Sequence, residues 1–88
     1  MVVTRDDVAS AILKYTNHEV TLKELVDWAE NSMMEADFES GYHDVIRDVV
    51  ARIGLADAEE FGLTWDDCYD FLHKLGYSVK VMATQSKP

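Results

Sequence analysis

Three threonines in this chain are each followed, three residues later, by an acidic residue and then by apolar residues at helical spacing. The pairs are Thr4 with Asp7, Thr21 with Glu24, and Thr64 with Asp67. A threonine at the start of a helix can accept a hydrogen bond from a backbone N–H that the helix leaves unsatisfied, and an acid three residues later can return one. The sequence therefore predicts three helix starts and a fold that is mostly helical.

Apolar periodicity predicts where the helices run. The first helix ends near Asn17 and His18, a third spans about Ser40 to Ile53 and is stopped by Gly54, and the last ends at Gly76. Each has apolar residues at i, i+3, i+4 and i+7, the pattern of one buried face. The apolar stripes contain Val8, Ala11, Ile12, Tyr15, Leu22, Leu25, Val26, Ala29, Met33, Tyr42, Val45, Ile46, Val49, Ile53, Trp65, Cys68, Phe71, Leu72 and Leu75.

After Gly76 the apolar period changes to two, which predicts a β-strand over residues 77–82. A strand edge needs a partner, which we expect to be either residues 1–3 or a second copy of the chain in a homodimer. Residues 84–88 are polar and predicted to be a disordered tail. The predicted fold is thus mostly α: a compact four-helix domain over residues 1–83 with a short C-terminal β-strand.

The chain is strongly acidic, with 17 Asp and Glu against 8 Lys and Arg and a formal net charge of −9. Residues 1–76 hold all the acids, whereas the tail from Tyr77 holds two lysines and no acid. An acidic surface disfavours binding to nucleic acid and to anionic membranes, because proteins bind both through lysine and arginine. It favours a basic protein partner. The alternative is that the acidity serves only solubility.

The sequence lacks the features that mark several classes of protein. No apolar run approaches the ~20 residues of a membrane-spanning helix, and the N-terminus has no signal-peptide pattern, so we expect a cytoplasmic protein. Cys68 is the only cysteine and cannot form an internal disulfide. Its position on an apolar stripe predicts a buried structural thiol. No phosphate-binding loop, nucleophile elbow or zinc motif is present, so neither an enzyme nor a cofactor is predicted.

One arrangement could bind a metal ion. Asp66, Asp70 and His73 lie at i, i+4 and i+7, so they share one face of the fourth helix. The same spacing arises on any polar helix face, and Lys74 is placed to pair with Asp70 instead. A metal-binding protein or small metal-dependent enzyme is therefore an alternative interpretation.

Trp28 and Met34 lie outside the main apolar stripe of the second helix. They either widen the core of a small bundle or form an exposed apolar patch, with Glu35 on its acidic rim. The second interpretation predicts a protein-binding surface, because aromatic anchors within a polar rim are typical of interfaces. Tyr42 is a further candidate anchor.

Two stretches, Glu24–Val26 and Glu39–Asp44, make the chain similar to the bacterial immunity proteins that neutralise nuclease colicins and pyocins. This resemblance, which includes size, acidity and helix number, implies a small acidic binder with Tyr42 and Asp44 at matching positions. The chain departs from that family in its long third helix, its predicted C-terminal strand and the lack of a Tyr-Tyr-Pro sequence. Residues 53–65 also resemble a small bacterial family of unassigned function.

The sequence thus predicts a small acidic protein-interaction module, and the resemblance implies an immunity- or antitoxin-like inhibitor of a basic partner. The predicted partner-binding residues are Trp28, Met34, Glu35, Tyr42 and Asp44. The alternatives are the metal-binding protein and a structural subunit of a larger complex.

Overall fold

A computed structural model describes residues 1–57 and 62–79 of the chain. Within these residues four helices pack around one core, so the prediction of a compact, mostly α fold is confirmed. The elements in chain order are β1 (Val2–Val3), α1 (Arg5–Thr16), α2 (Leu22–Glu35), β2 (Asp37–Phe38), α3 (His43–Gly54) and α4 (Trp65–Lys74).

All three predicted caps form. At α1 the Asp7 N–H donates to the Thr4 hydroxyl over 3.1 Å and the Thr4 N–H donates to the Asp7 carboxylate over 2.9 Å. The same reciprocal bonds begin α2 and α4. The hydrogen bond from the Thr64 backbone N–H lowers the pKa of the Asp67 carboxyl below its ordinary value. These bonds satisfy backbone donors that the first turn of a helix leaves without partners.

The third helix differs from its prediction at both ends. It begins at His43 rather than near Ser40, because the chain turns first, with Gly41 at φ +87° and the Tyr42 N–H bonded to the Glu39 carbonyl at 3.2 Å. Gly54 is the last helical residue and is not left-handed, so its predicted role as a left-handed stop is wrong. Gly76 does take that conformation after α4, at φ +95°.

The core lies between all four helices, with α3 packed most extensively on α2 and α1 in contact with the other three. Three residues that the stripes placed in the core are instead exposed: Met33 by 43%, Tyr42 by 40% and Trp65 by 55%. Among the described residues, those that are buried are Val3, Val8, Ala9, Ile12, Leu25, Val26, Ala29, Ser32, Ile46, Val49, Val50, Ile53, Ala56, Cys68, Phe71, Leu72 and Leu75.

The strand pairing also differs from its prediction. β1 pairs in parallel with β2, and the Asp37 N–H donates to the Met1 carbonyl at 2.9 Å while the Glu39 N–H donates to the Val3 carbonyl at 3.0 Å. Helices α1 and α2 form the crossover that a parallel pair requires.

The predicted C-terminal strand is wrong where the structure describes it, because residues 77–79 belong to no strand. The chain instead turns after Gly76, so that the Tyr77 N–H donates to the Leu72 carbonyl at 2.9 Å and the Tyr77 hydroxyl donates to the Asp6 carboxylate. Residues 80–82 and the predicted disordered tail lie outside the described residues. Pairing of this segment with a second copy stays a prediction.

Candidate functional site

Trp28 and Met34 lie on different sides of α2. Met34 comes six positions after Trp28, and at about 100° per residue this places the two side chains roughly 120° apart around the helix axis. Trp28 is half-buried and packs against the core, whereas Met34 is 80% exposed. Glu35 is exposed and comes seven residues after Trp28, so it lies on the same side as the tryptophan. The structure therefore associates Glu35 with Trp28 and places Met34 on the solvent face.

Tyr42 is held by contacts within the chain. The Arg5 guanidinium lies 3.8 Å from the centroid of the Tyr42 ring, a cation–π contact. The same arginine donates its backbone N–H to Glu39 Oε1 at 2.9 Å and its Nη1 to the Leu75 carbonyl at 3.2 Å. One face of the Tyr42 ring is thus occupied by Arg5, although the residue stays 40% exposed.

Asp44 lies in the first turn of α3, two residues after Tyr42. Its side chain is 85% exposed and lies 3.5 Å from Nη1 of Arg47 and 3.5 Å from Nδ1 of His43. An exposed pair of this kind contributes little to stability. Asp44 is therefore available to a partner, but it already has a neighbouring positive charge.

Trp28 lines a groove of about 540 Å³ that lies between β1, α1 and α2. Buried Val3 and Leu25 and half-buried Ala11 supply apolar walls, while Met1 and Val2 are 86% and 54% exposed. A concave apolar surface with a tryptophan and a few polar groups has the composition of a binding site. The groove is lined by Met1, Val2, Val3, Asp7, Ser10, Ala11, Lys14, Val20, Glu24, Leu25 and Trp28.

The outer surface of α2 and β2, next to this groove, has an excess of acidic residues. Between residues 24 and 37 the chain has five acids and no base, and all five side chains belong to exposed residues. Lys23 precedes the stretch and pairs with Asp27 at 3.2 Å. We call this surface the acidic face; its acids are Glu24, Asp27, Glu30, Glu35 and Asp37.

The groove wall contributed by β1 is a part of the site that sequence reasoning missed. The sequence pattern indicated Val2 and Val3 only as a possible pairing partner of the C-terminal segment. Their true partner, Asp37–Phe38, is two residues long and lies beyond two helices. No local pattern marks such a pairing, and so the groove could not be predicted.

Cys68 has the buried position that its apolar stripe predicted. It is 1% exposed, and burial followed by the nearby negative charge of Asp67 raises the pKa of its thiol to about 11. A thiol of this kind stays protonated near neutral pH, and the thiolate is the reactive form. Cys68 therefore has the properties of a packing residue rather than a nucleophile.

The proposed metal ligands do not come together. Within residues 1–57 and 62–79, no three His, Cys, Asp or Glu side chains are arranged to hold a metal ion. Asp66, Asp70 and His73 all lie in this part of the chain and form no such group. Asp70 instead pairs with Lys74 at 3.1 Å. In the same part of the chain, none of the helices has the length and apolar character needed to cross a bilayer.

Comparison with known proteins yields no relative. No protein-family model, curated protein or solved structure matches this chain. Function is therefore inferred from the groove and the acidic face.

Proposed function

We propose that this protein is a small interaction module that binds a basic partner protein through the Trp28 groove and the acidic face. The observation that carries the proposal is the position of an apolar groove beside a stretch of five acids that contains no base. Binding energy at protein interfaces is concentrated in a few residues, and tryptophan is prominent among them. Trp28 is the anchor in this proposal.

The acidic face would supply specificity and speed of association. Complementary charge steers two proteins into contact and disfavours partners of like charge. The same field opposes nucleic acid, because its phosphate backbone is also negative. Met34, which is 80% exposed on the solvent side of α2, lies within this face and adds an apolar contact.

The resemblance to immunity proteins suggests what the module does once it has bound. We place the interaction in the cytoplasm, where a lone reduced cysteine such as Cys68 is ordinary. Inhibition of a basic, toxin-like protein is the form of binding that we favour. Tyr42 and Asp44 would then add a second contact region near the start of α3.

The test begins with affinity capture from the native host and continues with the purified partner. Trp28→Ala is expected to weaken binding about 30-fold or more, which corresponds to ~2 kcal/mol at an anchor position. Trp65→Ala is the matched control, because it removes the other tryptophan, which does not line the groove. Its affinity for the partner should equal that of the wild type.

Circular dichroism must show that both variants are folded before their affinities are compared. Equal binding by the Trp28 and Trp65 variants would contradict the assignment of the groove. An acidic partner, or tight binding of DNA at physiological salt, would contradict the electrostatic argument.

A further inference from the structure

We propose that β1 accepts an extended segment of the partner, carrying lysine or arginine, as a third strand along its free edge. This inference rests on the proposed function and specifies how the groove is used. Addition of a strand to an exposed sheet edge is a common mode of peptide recognition, in which backbone hydrogen bonds provide affinity and pockets select side chains.

The free edge of β1 follows from its pairing with β2. The sheet contains two strands within residues 1–57 and 62–79, and none of these residues forms a strand on the other side of β1. The carbonyls of Met1 and Val3 both accept hydrogen bonds from the β2 side. Because backbone groups alternate in direction along a strand, the N–H and C=O of Val2 point to the opposite side. Val2 therefore offers one donor and one acceptor to an added strand.

This edge belongs to the groove itself. Met1, Val2 and Val3 all line the groove that contains Trp28, so a strand added beside β1 would run next to it. Alternate side chains of a strand point to opposite faces. One set of side chains of the added strand could therefore enter the groove, while the other set would face away from it.

The charged residues at the groove determine which side chains the incoming segment can carry. Asp7 and Glu24 lie at the groove, and among the described lining residues Lys14 is the only one with a basic side chain. Beyond Glu24 the acidic face continues with four more acids and no base as far as Asp37. Lysine or arginine in the added strand would be attracted by this negative field, whereas acidic side chains would be repelled.

The experiment uses a blocked hexapeptide of alternating lysine and valine, and as its matched control a hexapeptide of alternating glutamate and valine. Each is titrated into the ¹⁵N-labelled full chain. The lysine peptide is expected to shift the Val2 amide and the Trp28 indole resonances. It should also slow hydrogen exchange of the Val2 N–H, because that group becomes hydrogen-bonded to the peptide.

Two substitutions separate a backbone contact from a side-chain contact. Val2→Pro removes the N–H that faces the free edge, while the bonds to β2 use the carbonyls of Met1 and Val3 and remain. We expect it to weaken binding of the lysine peptide about tenfold, as for one lost hydrogen bond that leaves its partner unsatisfied. Val2→Ala keeps the N–H and shortens only the side chain, so it should weaken binding of the lysine peptide less than Val2→Pro does.

The outcomes distinguish this inference from the proposed function. Equal affinity of the proline and alanine variants, or unchanged exchange of the Val2 N–H in the wild-type complex, would overturn strand addition. Changes in the Trp28 indole resonances on addition of the lysine peptide would in that case still support the groove as a binding site. The inference would also be overturned if the lysine peptide did not bind, or if the glutamate peptide bound equally well. The proposed function is decided separately, by the Trp28→Ala test with the native partner. Exchange protection supports the inference even if Val2→Pro does not fold.

Discussion

Arg5 connects three parts of the fold through a single side chain and its backbone. Its guanidinium covers the Tyr42 ring and donates to the Leu75 carbonyl, and its backbone N–H donates to Glu39. These contacts join the start of α1 to the turn before α3 and to the end of α4. A planar guanidinium can stack on a ring and donate in a fixed direction at the same time, which an ammonium group does less well.

Arg5→Lys is therefore expected to lower the free energy of unfolding by about 1–2 kcal/mol, through loss of the stacking and of one hydrogen bond. Urea denaturation followed by circular dichroism measures the change. Arg47→Lys is the control, because the ion pairs of Arg47 with Asp44 and Asp48 are exposed. This substitution should change the free energy of unfolding by less than ~0.5 kcal/mol. A similar loss in both variants would show that the Arg5 contacts add nothing specific.

The buried thiol of Cys68 gives the protein a predictable response to alkaline pH. Its folded-state pKa of about 11 lies above the value of 9.0 for a free thiol, so between these values the folded state binds more protons than the unfolded state. Stability should therefore fall as pH rises through this window, by at most about 1.4 kcal/mol per pH unit for one group. Tyr77 adds a change of the same direction, because its hydrogen bond to Asp6 raises the pKa of the phenol.

Cys68→Ala isolates the contribution of the thiol to this response. Thermal unfolding measured across the alkaline range should show a smaller loss of stability in the variant than in the wild type. In the folded wild type at pH 8, a thiol reagent should react only as fast as the protein opens, since Cys68 is 1% exposed. Rapid stoichiometric labelling would contradict burial of this residue.

At the scale of elements, the capped helices were the part of the fold that the sequence predicted best. A threonine and an acid three residues apart determine the start of a helix through local bonds alone, so α1, α2 and α4 all begin where expected. The third helix has no side-chain cap, and its predicted start was wrong by three residues. The parallel pair of β1 and β2 depends on contacts across two helices, which no local pattern reveals.

The cap of α2 allows a direct test of this local control. Thr21→Ala removes the hydroxyl that accepts the Glu24 N–H at 3.1 Å, and it should lower the free energy of unfolding by about 1 kcal/mol. Ser10→Ala is the control, because it changes an exposed residue within α1 and should alter stability by less than ~0.5 kcal/mol. Chemical denaturation of both variants gives the comparison. Equal stability of the two would contradict a role for the cap.

At the scale of the whole molecule, the binding groove draws on segments that are separate in the sequence. Its lining comes from Met1 and β1, from one side of α1, from Val20 in the connection between the helices and from the first half of α2. The sequence marked Trp28 as lying outside its stripe, but it could not show which elements would surround the side chain. Met34 was marked by the same argument and lies on the other side of the helix. Periodicity therefore identifies unusual positions more readily than it identifies their neighbours.

The acidic face provides a test of whether the charge serves binding or only solubility. Asp27 and Glu30 are three residues apart on α2, and like charges at this spacing destabilise a helix by a few tenths of a kcal/mol. The double variant Glu30→Gln, Glu35→Gln should therefore unfold at a higher temperature than the wild type in about 20 mM NaCl. This difference should shrink near ~300 mM, because salt screens exposed charges.

Asp48→Asn provides the control for position, because Asp48 pairs with Arg47 at 3.3 Å and its loss removes an attraction. It should not stabilise the isolated protein at low salt. If the acidic face serves binding, the double variant should also associate with a basic partner more slowly, with little change in the dissociation rate, because steering acts on encounter. A variant that is more stable in isolation and yet associates at an unchanged rate would show that the acidic face serves only solubility.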